Sequence, residues 1–385
     1  MKYDFDSLIN RRGTDCYKWN VGENELPMWI ADMDFKTAPC IIDELQKRIS
    51  HGIYGYAEVP DEWYDAYISW WKTRHNLTLT RKSLMFTTGV VAAISSTVRK
   101  LGSPNENVVI QTPVYNIFYN SILNNGLRVL ESPLKYENGN YSMDLSDLEL
   151  KFSDPQTSLF ILCNPQNPAG IIWDASTLEK IGELALKYNV TVIADEIHCD
   201  ITRPGTEYTP FASVSDTCAK VSVNCIAPTK SFNLAGIQTA AVFVPDKFLR
   251  HKVWRAINTD EVAEPNALAC PAAISAYNSG AEWLDEMRAY VFENKRIVKD
   301  FISSEIPSLN VIEGDATYLV WIDISATGMD STAFTSALRK ETGLFVSDGK
   351  VYGGNGRSFF RMNVATPRTL VYGALSRLKK FIDTI

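Results

Sequence analysis

A lysine stands in a predicted turn between two apolar segments. Lys230 lies within "IAPTKSFNLAG", after the alternating run "AKVSVNC" and before "IQTAAVFV". Lysine is among the residues least often buried, so a solvated side chain at a loop tip is one interpretation. The other is an amine held partly away from water, which could act as a nucleophile and a base. The polar residues at neighbouring strand ends bear on this choice.

Several of these polar residues follow predicted strands directly. Asn164 and Asn167 come after "LFIL", Asp195 ends "VTVIAD", and Thr229 precedes Lys230. Ligands collect beyond the carboxyl ends of parallel strands, so we expect these side chains to lie near one another. A buried Asp195 carboxylate would take up a proton or pair with a cation, although a helix cap explains a single Asp in this place equally well.

Two further segments could bind anionic groups, and a third predicts a rigid loop. "TTGVVAAISSTV" is a Gly turn that opens a helix, whose first amides could hold a phosphate, although any tight turn before a helix looks the same. Arg361 in "FFRMNV" alternates with apolar neighbours and could clamp a carboxylate with two parallel hydrogen bonds. The Asn-Pro pairs of "NPQNPAG" indicate a rigid loop that leaves each Asn amide free to bind.

These residues must be positioned by an alternation of short apolar runs and helical segments that begins near residue 84. Six runs are predicted strands: "ENVVIQTP", "RVLESP", "TSLFILCNP", "VTVIADE", "AKVSVNCIAP" and "TAAVFVP". Between two of them, "DASTLEKIGELALKYN" has helical spacing, with Asp174 or Ser176 as a possible cap. The order predicts an α/β fold with a mainly parallel sheet. After roughly residue 285, helices and isolated strands predict a smaller α+β lobe, with a helical stretch from Asp285.

The composition excludes several classes of protein. A formal net charge of -7 over 385 residues, without a long basic run, argues against a nucleic-acid partner. No apolar stretch approaches the roughly 20 residues of a spanning helix, so we expect no membrane insertion. Seven scattered cysteines without a C-x-x-C pair favour reduced thiols and a cytoplasmic protein. The four histidines lack a ligand spacing, so no metal site is predicted.

The spacing of the candidate residues is more specific than any one of them. Asp195 follows Asn167 by 28 residues and precedes Lys230 by 35, and Arg361 comes late in the chain. This order resembles the fold-type I pyridoxal-phosphate enzymes of the class I/II aminotransferase group, and within that group the cystathionine β-lyase subfamily. The resemblance runs nearly end to end, through "LPMWIADMDF", "IYGY", "TPVYNIFY", "DEIHCDI", "TKSFNLAG" and "RMNVATPR".

The resemblance implies the aspartate aminotransferase-like fold. Its large cofactor-binding domain, with a mostly parallel seven-stranded sheet, would span residues 46–285, and a small domain residues 286–385. Residues 1–45 would form an N-terminal segment that packs with the small domain. The resemblance also implies a homodimer with shared active sites.

The resemblance assigns roles to the residues at the predicted sheet edge. Lys230 would bind pyridoxal 5′-phosphate covalently and later remove the substrate's Cα proton. Asp195 would keep the ring nitrogen protonated, and Asn167 would hydrogen-bond the phenolic oxygen. Arg361 would bind the substrate's α-carboxylate.

The remaining roles surround the cofactor. Tyr115 would stack on its ring, and Val90 and Val91 would hold its phosphate through their amides, with a hydroxyl from Thr229. Tyr56 would reach the neighbouring subunit's site across the dimer interface. The chain departs from typical aminotransferases at Ala227, where many have a phosphate-binding Ser, and at His198, where many have a Tyr. His198 is therefore given no role.

The resemblance implies β-elimination from an amino acid that has a sulfur leaving group at Cβ. L-cystathionine, L-cysteine or a related S-conjugate would yield pyruvate, ammonia and a thiol, and the preferred one is left open. A transaminase would use the same Lys230 and Asp195, so an aminotransferase is the alternative enzyme. Some members of the subfamily bind a transcription factor, so a regulatory role could accompany catalysis.

Overall fold

The computed structural model describes residues 1–385. The α-helices are α1 (Pro39–Ser50), α2 (Asp61–His75), α3 (Val90–Leu101), α4 (Ile117–Leu123), α5 (Leu145–Ser153), α6 (Ala175–Lys187), α7 (Asp216–Val221), α8 (Lys247–Thr259), α9 (Ala269–Ser279), α10 (Ala281–Glu305), α11 (Ser331–Thr342) and α12 (Arg368–Ile382). The strands are β1 (Leu26–Pro27), β2 (Leu84–Thr87), β3 (Asn107–Ile110), β4 (Arg128–Glu131), β5 (Lys135–Glu137), β6 (Asn140–Ser142), β7 (Thr157–Cys163), β8 (Thr191–Asp195), β9 (Ser222–Ile226), β10 (Ala240–Phe243), β11 (Asn310–Val311), β12 (Leu319–Asp323), β13 (Leu344–Phe345), β14 (Ser347–Asp348) and β15 (Phe359–Asn363). None of the helices combines the length and the apolar character that crossing a membrane requires.

A seven-stranded sheet forms the centre of the larger lobe. Its order is β2-β10-β9-β8-β7-β3-β4, and β10 alone runs in the opposite direction to the other six strands. The central strands are short runs of mostly buried residues, as expected of a sheet covered on both faces by helices. The predicted mainly parallel α/β fold and the six predicted strands are confirmed. Strand β2 is absent from the predicted set, because its four residues, Leu-Met-Phe-Thr, are too few to give a measurable period.

The register of the sheet brings the predicted site segments to one edge. Cys163 at the end of β7 pairs with Asp195 at the end of β8, and Asp195 pairs with Cys225 near the end of β9. The loops that carry Asn167 and Lys230 therefore leave the sheet beside Asp195. Between β7 and β8 the chain returns through α6, and Asp174 is its cap, accepting the Thr177 amide.

The smaller lobe is an antiparallel sheet, β11-β12-β15-β14, packed with helices from the last third of the chain. Helix α10 begins at Ala281, four residues before the predicted start at Asp285, and it is continuous across the predicted domain boundary after residue 285. The helices and isolated strands predicted for this lobe include β12, α11 and β15. The division of the chain into residues 1–45, 46–285 and 286–385 stays a prediction.

The N-terminal segment contacts both lobes. Its strand β1 pairs in parallel with β13 of the smaller lobe, through Leu26 and Leu344. On the other side, the Asn233 side chain, in the loop after β9, binds backbone groups of Met33 and Phe35. A segment without strong periodicity is therefore fixed by backbone pairing and side-chain hydrogen bonds.

Candidate active site

A cavity of about 880 Å³ opens at the carboxyl edge of the large sheet, where the two lobes meet. One side, which we call the sheet side, comes from strand-end loops and the start of α3; the residues used below are Gly89, Val90, Val91, Tyr115, Asn167, Asp195, His198, Thr229 and Lys230. The other, the small-lobe side, comes from the N-terminal segment and the smaller lobe; it includes Tyr17, Trp29, Arg339, Phe345, Tyr352 and Arg361. The cavity therefore requires both lobes and the N-terminal segment.

Lys230 projects into this cavity from the loop between β9 and β10. Its Nζ donates a hydrogen bond to the backbone oxygen of Ala31, at 2.6 Å. Burial, together with the nearby positive charge of Arg361, lowers the pKa of Lys230 to about 8. A substantial fraction of the amine is therefore neutral near pH 8, as a nucleophile or base requires.

Asp195 ends β8 with a buried carboxylate that has no ion pair. Its Oδ1 accepts a hydrogen bond from the Ile197 amide, at 3.1 Å. Burial raises the pKa of Asp195 to about 6, against the opposing effects of the Ile197 amide and the Lys230 charge. A cationic group bound in the cavity would stabilise the ionised carboxylate.

Arg361 joins the two lobes across the cavity. It lies on β15 of the smaller lobe, and its Nη1 donates to Asn167 Oδ1 at 2.9 Å on the sheet side. Its Nη2 donates to the backbone oxygen of Trp29 at 3.1 Å, while its buried Nε has no partner. The guanidinium also packs over the Tyr352 ring, 5.0 Å from the centroid. A buried and oriented guanidinium with a free donor is suited to bind a carboxylate.

The start of α3 offers unpaired backbone amides to the cavity. Gly89 is the N-cap of the helix, and no side chain caps it. The Ala93 amide donates to the Gly89 oxygen, whereas the amides of Val90 and Val91 have no hydrogen-bond partner. A Cβ at Gly89 would meet no atom within 4 Å, so there is open space beside the amides of Val90 and Val91. A helix start of this kind attracts an anion.

The remaining sheet-side predictions also face the cavity. Thr229 and Tyr115 line it, and the Tyr115 ring meets Phe118 edge to face at 5.7 Å. Burial raises the pKa of Tyr115 to about 12, so its hydroxyl stays protonated at neutral pH. Thus the candidate residues lie around one cavity, except Asn164 and Tyr56. Asn164 is buried away from the cavity, and its Nδ2 donates to the backbone oxygen of Thr209 at 3.1 Å, so the prediction of a free amide is wrong for this residue. Tyr56 belongs to the segment between α1 and α2, is 104% exposed, and does not line the cavity of its own chain.

Sequence reasoning gave no role to His198, which the structure places on the sheet side. It is buried, its Nδ1 has no hydrogen-bond partner, and its ring lies 6.1 Å from that of Tyr318. Burial and the charges of Lys230 and Arg361 hold the pKa of His198 well below its usual range. The imidazole is therefore neutral. Its position three residues after Asp195 was the available signal.

A second polar cluster, centred on Asp200, was not predicted. His75, Cys199 and Asp200 bring three potential ligand atoms within 4.8 Å of one another. Asp200 contacts His75 Nε2 at 2.8 Å and accepts hydrogen bonds from Trp70 and Ser231. Since 125 residues separate His75 from Asp200, no spacing motif could have indicated this cluster.

The unpaired groups of the cavity fit the functional groups of pyridoxal 5′-phosphate. The amides at the start of α3 suit its phosphate, and the unpaired Asp195 carboxylate suits a protonated ring nitrogen. Lys230 provides the amine that such a cofactor requires, and the orphaned His198 Nδ1 offers a further polar contact. The donor set therefore matches the cofactor that the resemblance implies.

Comparisons with known proteins agree with this geometry. The model of the family described as Aminotransferase class I and II matches residues 18–378. The chain is 39% identical to cystathionine beta-lyase PatB of Bacillus subtilis (strain 168), over 98% of this chain and 99% of PatB. Among solved structures, cystalysin from Treponema denticola, which contains a pyridoxal 5′-phosphate cofactor, matches with a TM-score of 0.97 and 31% identity over the whole of both chains. The cofactor-bound C-S lyase from Staphylococcus hominis matches with a TM-score of 0.92 and 30% identity over 99% of each chain.

Proposed function

The chain belongs to the aminotransferase class I and II family, and from this premise we propose that it is a pyridoxal-phosphate-dependent carbon-sulfur β-lyase. It cleaves L-cystathionine, L-cysteine or a related S-conjugate into pyruvate, ammonia and a thiol. The similarity to PatB over nearly the full length of both chains carries the proposal. The position of Lys230 and Asp195 on one cavity supports it, because both residues are required for the chemistry.

The chain's own residues perform the binding and proton-transfer steps. When bound, pyridoxal 5′-phosphate supplies an electron-accepting ring that stabilises negative charge at the substrate Cα. Lys230 holds the cofactor through its amine, and the same amine, once free and neutral, removes the Cα proton. Loss of this proton permits the Cβ–S bond to break, and the thiolate leaves with the bonding electron pair.

The other site residues orient the reacting groups. Asp195 accepts a hydrogen bond from the protonated ring nitrogen, and Asn167 donates to the phenolic oxygen. Val90, Val91 and Thr229 hold the phosphate, and Tyr115 packs on the ring. Arg361 binds the α-carboxylate, for which its unpartnered Nε is available.

The active unit is a homodimer in which Tyr56 of one subunit contacts the cofactor of the other. The full exposure of Tyr56 and its absence from the cavity of its own chain support this assignment. We place the enzyme in the cytoplasm, where its seven free cysteines would stay reduced. Its substrate is a small sulfur amino acid.

Product analysis separates the lyase from the alternative aminotransferase. Purified enzyme is incubated with cystathionine alone and, separately, with an amino acid and a keto-acid acceptor, with the Lys230→Ala variant as the control for protein-independent breakdown. We expect pyruvate and free thiol to form without any acceptor. Turnover only in the presence of the acceptor would overturn the lyase assignment in favour of an aminotransferase.

A further inference from the structure

Three aromatic rings line the small-lobe side of the cavity. The Trp29 ring stacks on Phe345 with 4.9 Å between centroids, and Tyr17 meets Trp29 edge to face at 5.1 Å. Trp29 also accepts a hydrogen bond from Arg361 through its backbone oxygen, so this aromatic wall starts beside the proposed α-carboxylate site. A wall of this kind suits a chain of methylene groups.

A guanidinium lies at the other end of the aromatic wall. Arg339 of α11 packs over the Phe345 ring, 3.7 Å from its centroid, and lines the same cavity. Its Nε and Nη2 donate to the Glu25 carboxylate, the latter at 3.0 Å. Its Nη1 has no partner, and 38% of its side chain is exposed. Arg339 is therefore fixed in direction by Glu25 and stacking, with donors left for a ligand.

The acidic groups near Arg339 do not remove this capacity. Glu25 accepts from only one side of the guanidinium fork. Asp348 also lines the cavity, but its oxygens accept from Ser331, Thr332 and the Lys350 amide. These donors hold the Asp348 carboxylate in place, and the only ion pair of Arg339 is the one with Glu25.

From this arrangement we propose that Arg339 and the aromatic wall form a distal subsite that selects S-conjugates with a carboxylate on the leaving group. The inference rests on the proposed lyase function and names its substrate class. The sulfur substituent lies along Trp29 and Phe345, and its terminal carboxylate binds Arg339. Thioethers of the cystathionine type, which have three carbons between sulfur and carboxylate counted through the α-carbon, fit this description better than cysteine.

Three substrates isolate the contribution of the distal carboxylate. S-(3-carboxypropyl)-L-cysteine has the distal carboxylate of cystathionine without its distal amine, and S-butyl-L-cysteine is its neutral counterpart. Thiol release from these two compounds and from cystathionine is measured with wild type, Arg339→Met and Arg339→Lys. Methionine keeps an apolar stem over Phe345 but removes the charge, whereas lysine keeps a charge without the planar fork.

We expect Arg339→Met to lower kcat/KM by about tenfold for the two carboxylate-bearing substrates, mainly through KM, and to leave S-butyl-L-cysteine within about twofold. Arg339→Lys recovers part of the loss. Glu25→Gln is the matched control, because it breaks the same ion pair but keeps the guanidinium. It should retain the preference for a distal carboxylate.

Each outcome decides the inference. A preference that disappears with Arg339→Met and persists with Glu25→Gln supports the subsite. Equal loss for the charged and neutral substrates, or no loss for either, would overturn the subsite while elimination from S-butyl-L-cysteine upholds the lyase function. Absence of elimination from all three substrates by the wild-type holoenzyme would overturn the proposed function and the subsite together.

Discussion

Two lysine amines of this chain have pKa values lowered by burial, and only one of them faces the cavity. The pKa of Lys230 is lowered to about 8 and that of Lys295 to about 7. Lys295 Nζ instead donates to the backbone oxygens of Gly314 and Ala316, at 2.9 and 3.0 Å. A lowered pKa therefore does not identify the cofactor lysine, and the position in the cavity does.

This contrast gives a matched pair of variants. Replacing Lys230 with Ala should abolish the visible absorbance of covalently bound cofactor and lower kcat by at least about 10³-fold, because the base is lost. Lys295→Met should keep the absorbance and lower the free energy of unfolding by about 1–3 kcal/mol, since its carbonyl partners lose their donor. Visible spectra and urea unfolding of both variants test this. An unchanged spectrum for Lys230→Ala would remove Lys230 from its role.

A second buried acid follows Asp195 and makes stability depend on pH. Glu196 accepts a hydrogen bond from the Phe211 amide at 2.8 Å, and burial raises the pKa of its carboxyl to about 8. The folded state thus binds this proton more tightly than the unfolded chain. Protonated Glu196 makes its full contribution to the free energy of unfolding below a pH of about 4.5, and this contribution is lost as the pH rises through about 8.

Glu196→Gln should remove this dependence, because the amide stays neutral and can still accept the Phe211 hydrogen bond. We expect the variant to exceed wild type in unfolding free energy by roughly 4 kcal/mol at pH 8, with the difference vanishing toward pH 4. Urea unfolding across this range measures the difference. Glu305→Gln, at an exposed glutamate, is the control and should follow wild type. A constant difference between Glu196→Gln and wild type at all pH values would contradict the prediction.

At the scale of elements, the loop after β7 is held against the loop before β12. The Ala316 amide donates to the Gly170 oxygen at 2.9 Å. A Cβ on Gly314 would lie 2.2 Å from the Ala169 oxygen and 2.8 Å from that of Gly170. The "NPQNPAG" loop, which carries Asn167, is therefore positioned by backbone of the smaller lobe.

Gly314→Ala should push these two loops apart and lower the free energy of unfolding by about 2–4 kcal/mol. Since Asn167 lies on the displaced loop, kcat/KM for cystathionine should also fall by about tenfold. Gly373→Ala is the control, because its Cβ would meet only Leu26 at 3.7 Å within α12, and it should be neutral or stabilising by up to about 1 kcal/mol. Urea unfolding and steady-state kinetics measure both variants. Wild-type stability of Gly314→Ala would contradict the predicted packing.

The elements differ in how far the sequence predicts them. Apolar runs such as "TSLFILC" and the amphipathic pattern of α6 are local, so the strands that lead to Asn167, Asp195 and Lys230 follow from patterns of this kind. Their meeting at one edge follows from parallel pairing. The approach of Gly314 to Gly170 depends on backbone packing between distant segments, and no periodicity encodes it. For the same reason, the sequence alone gives Arg339 no role beyond that of an ordinary solvated residue of α11. Its position becomes clear only from its contact with Phe345, on which Trp29 stacks.

At the scale of the whole molecule, the N-terminal segment completes the cavity. Its backbone oxygens accept hydrogen bonds from Lys230 at Ala31 and from Arg361 at Trp29. Asn363 fixes the same stretch by donating to the oxygens of Ile30 and Asp32, both at 2.6 Å. These contacts involve main-chain acceptors, which are present in every sequence. The residue types of this segment therefore do not indicate its role. Only the resemblance to a family indicated its place.

The proposed dimer predicts that two inactive variants restore each other. Lys230→Ala lacks the base, and Tyr56→Ala lacks the residue that the partner's site requires, so each homodimer should have strongly reduced activity. When the two are unfolded and refolded together, half of the dimers are hybrids, and each hybrid has one intact site, built from Lys230 of one subunit and Tyr56 of the other. Activity should therefore recover to about a quarter of wild type in an equimolar mixture. If Tyr56 acts within its own chain, the hybrid contains no intact site and the mixture stays as inactive as its components, which would refute the shared site even if the protein is dimeric.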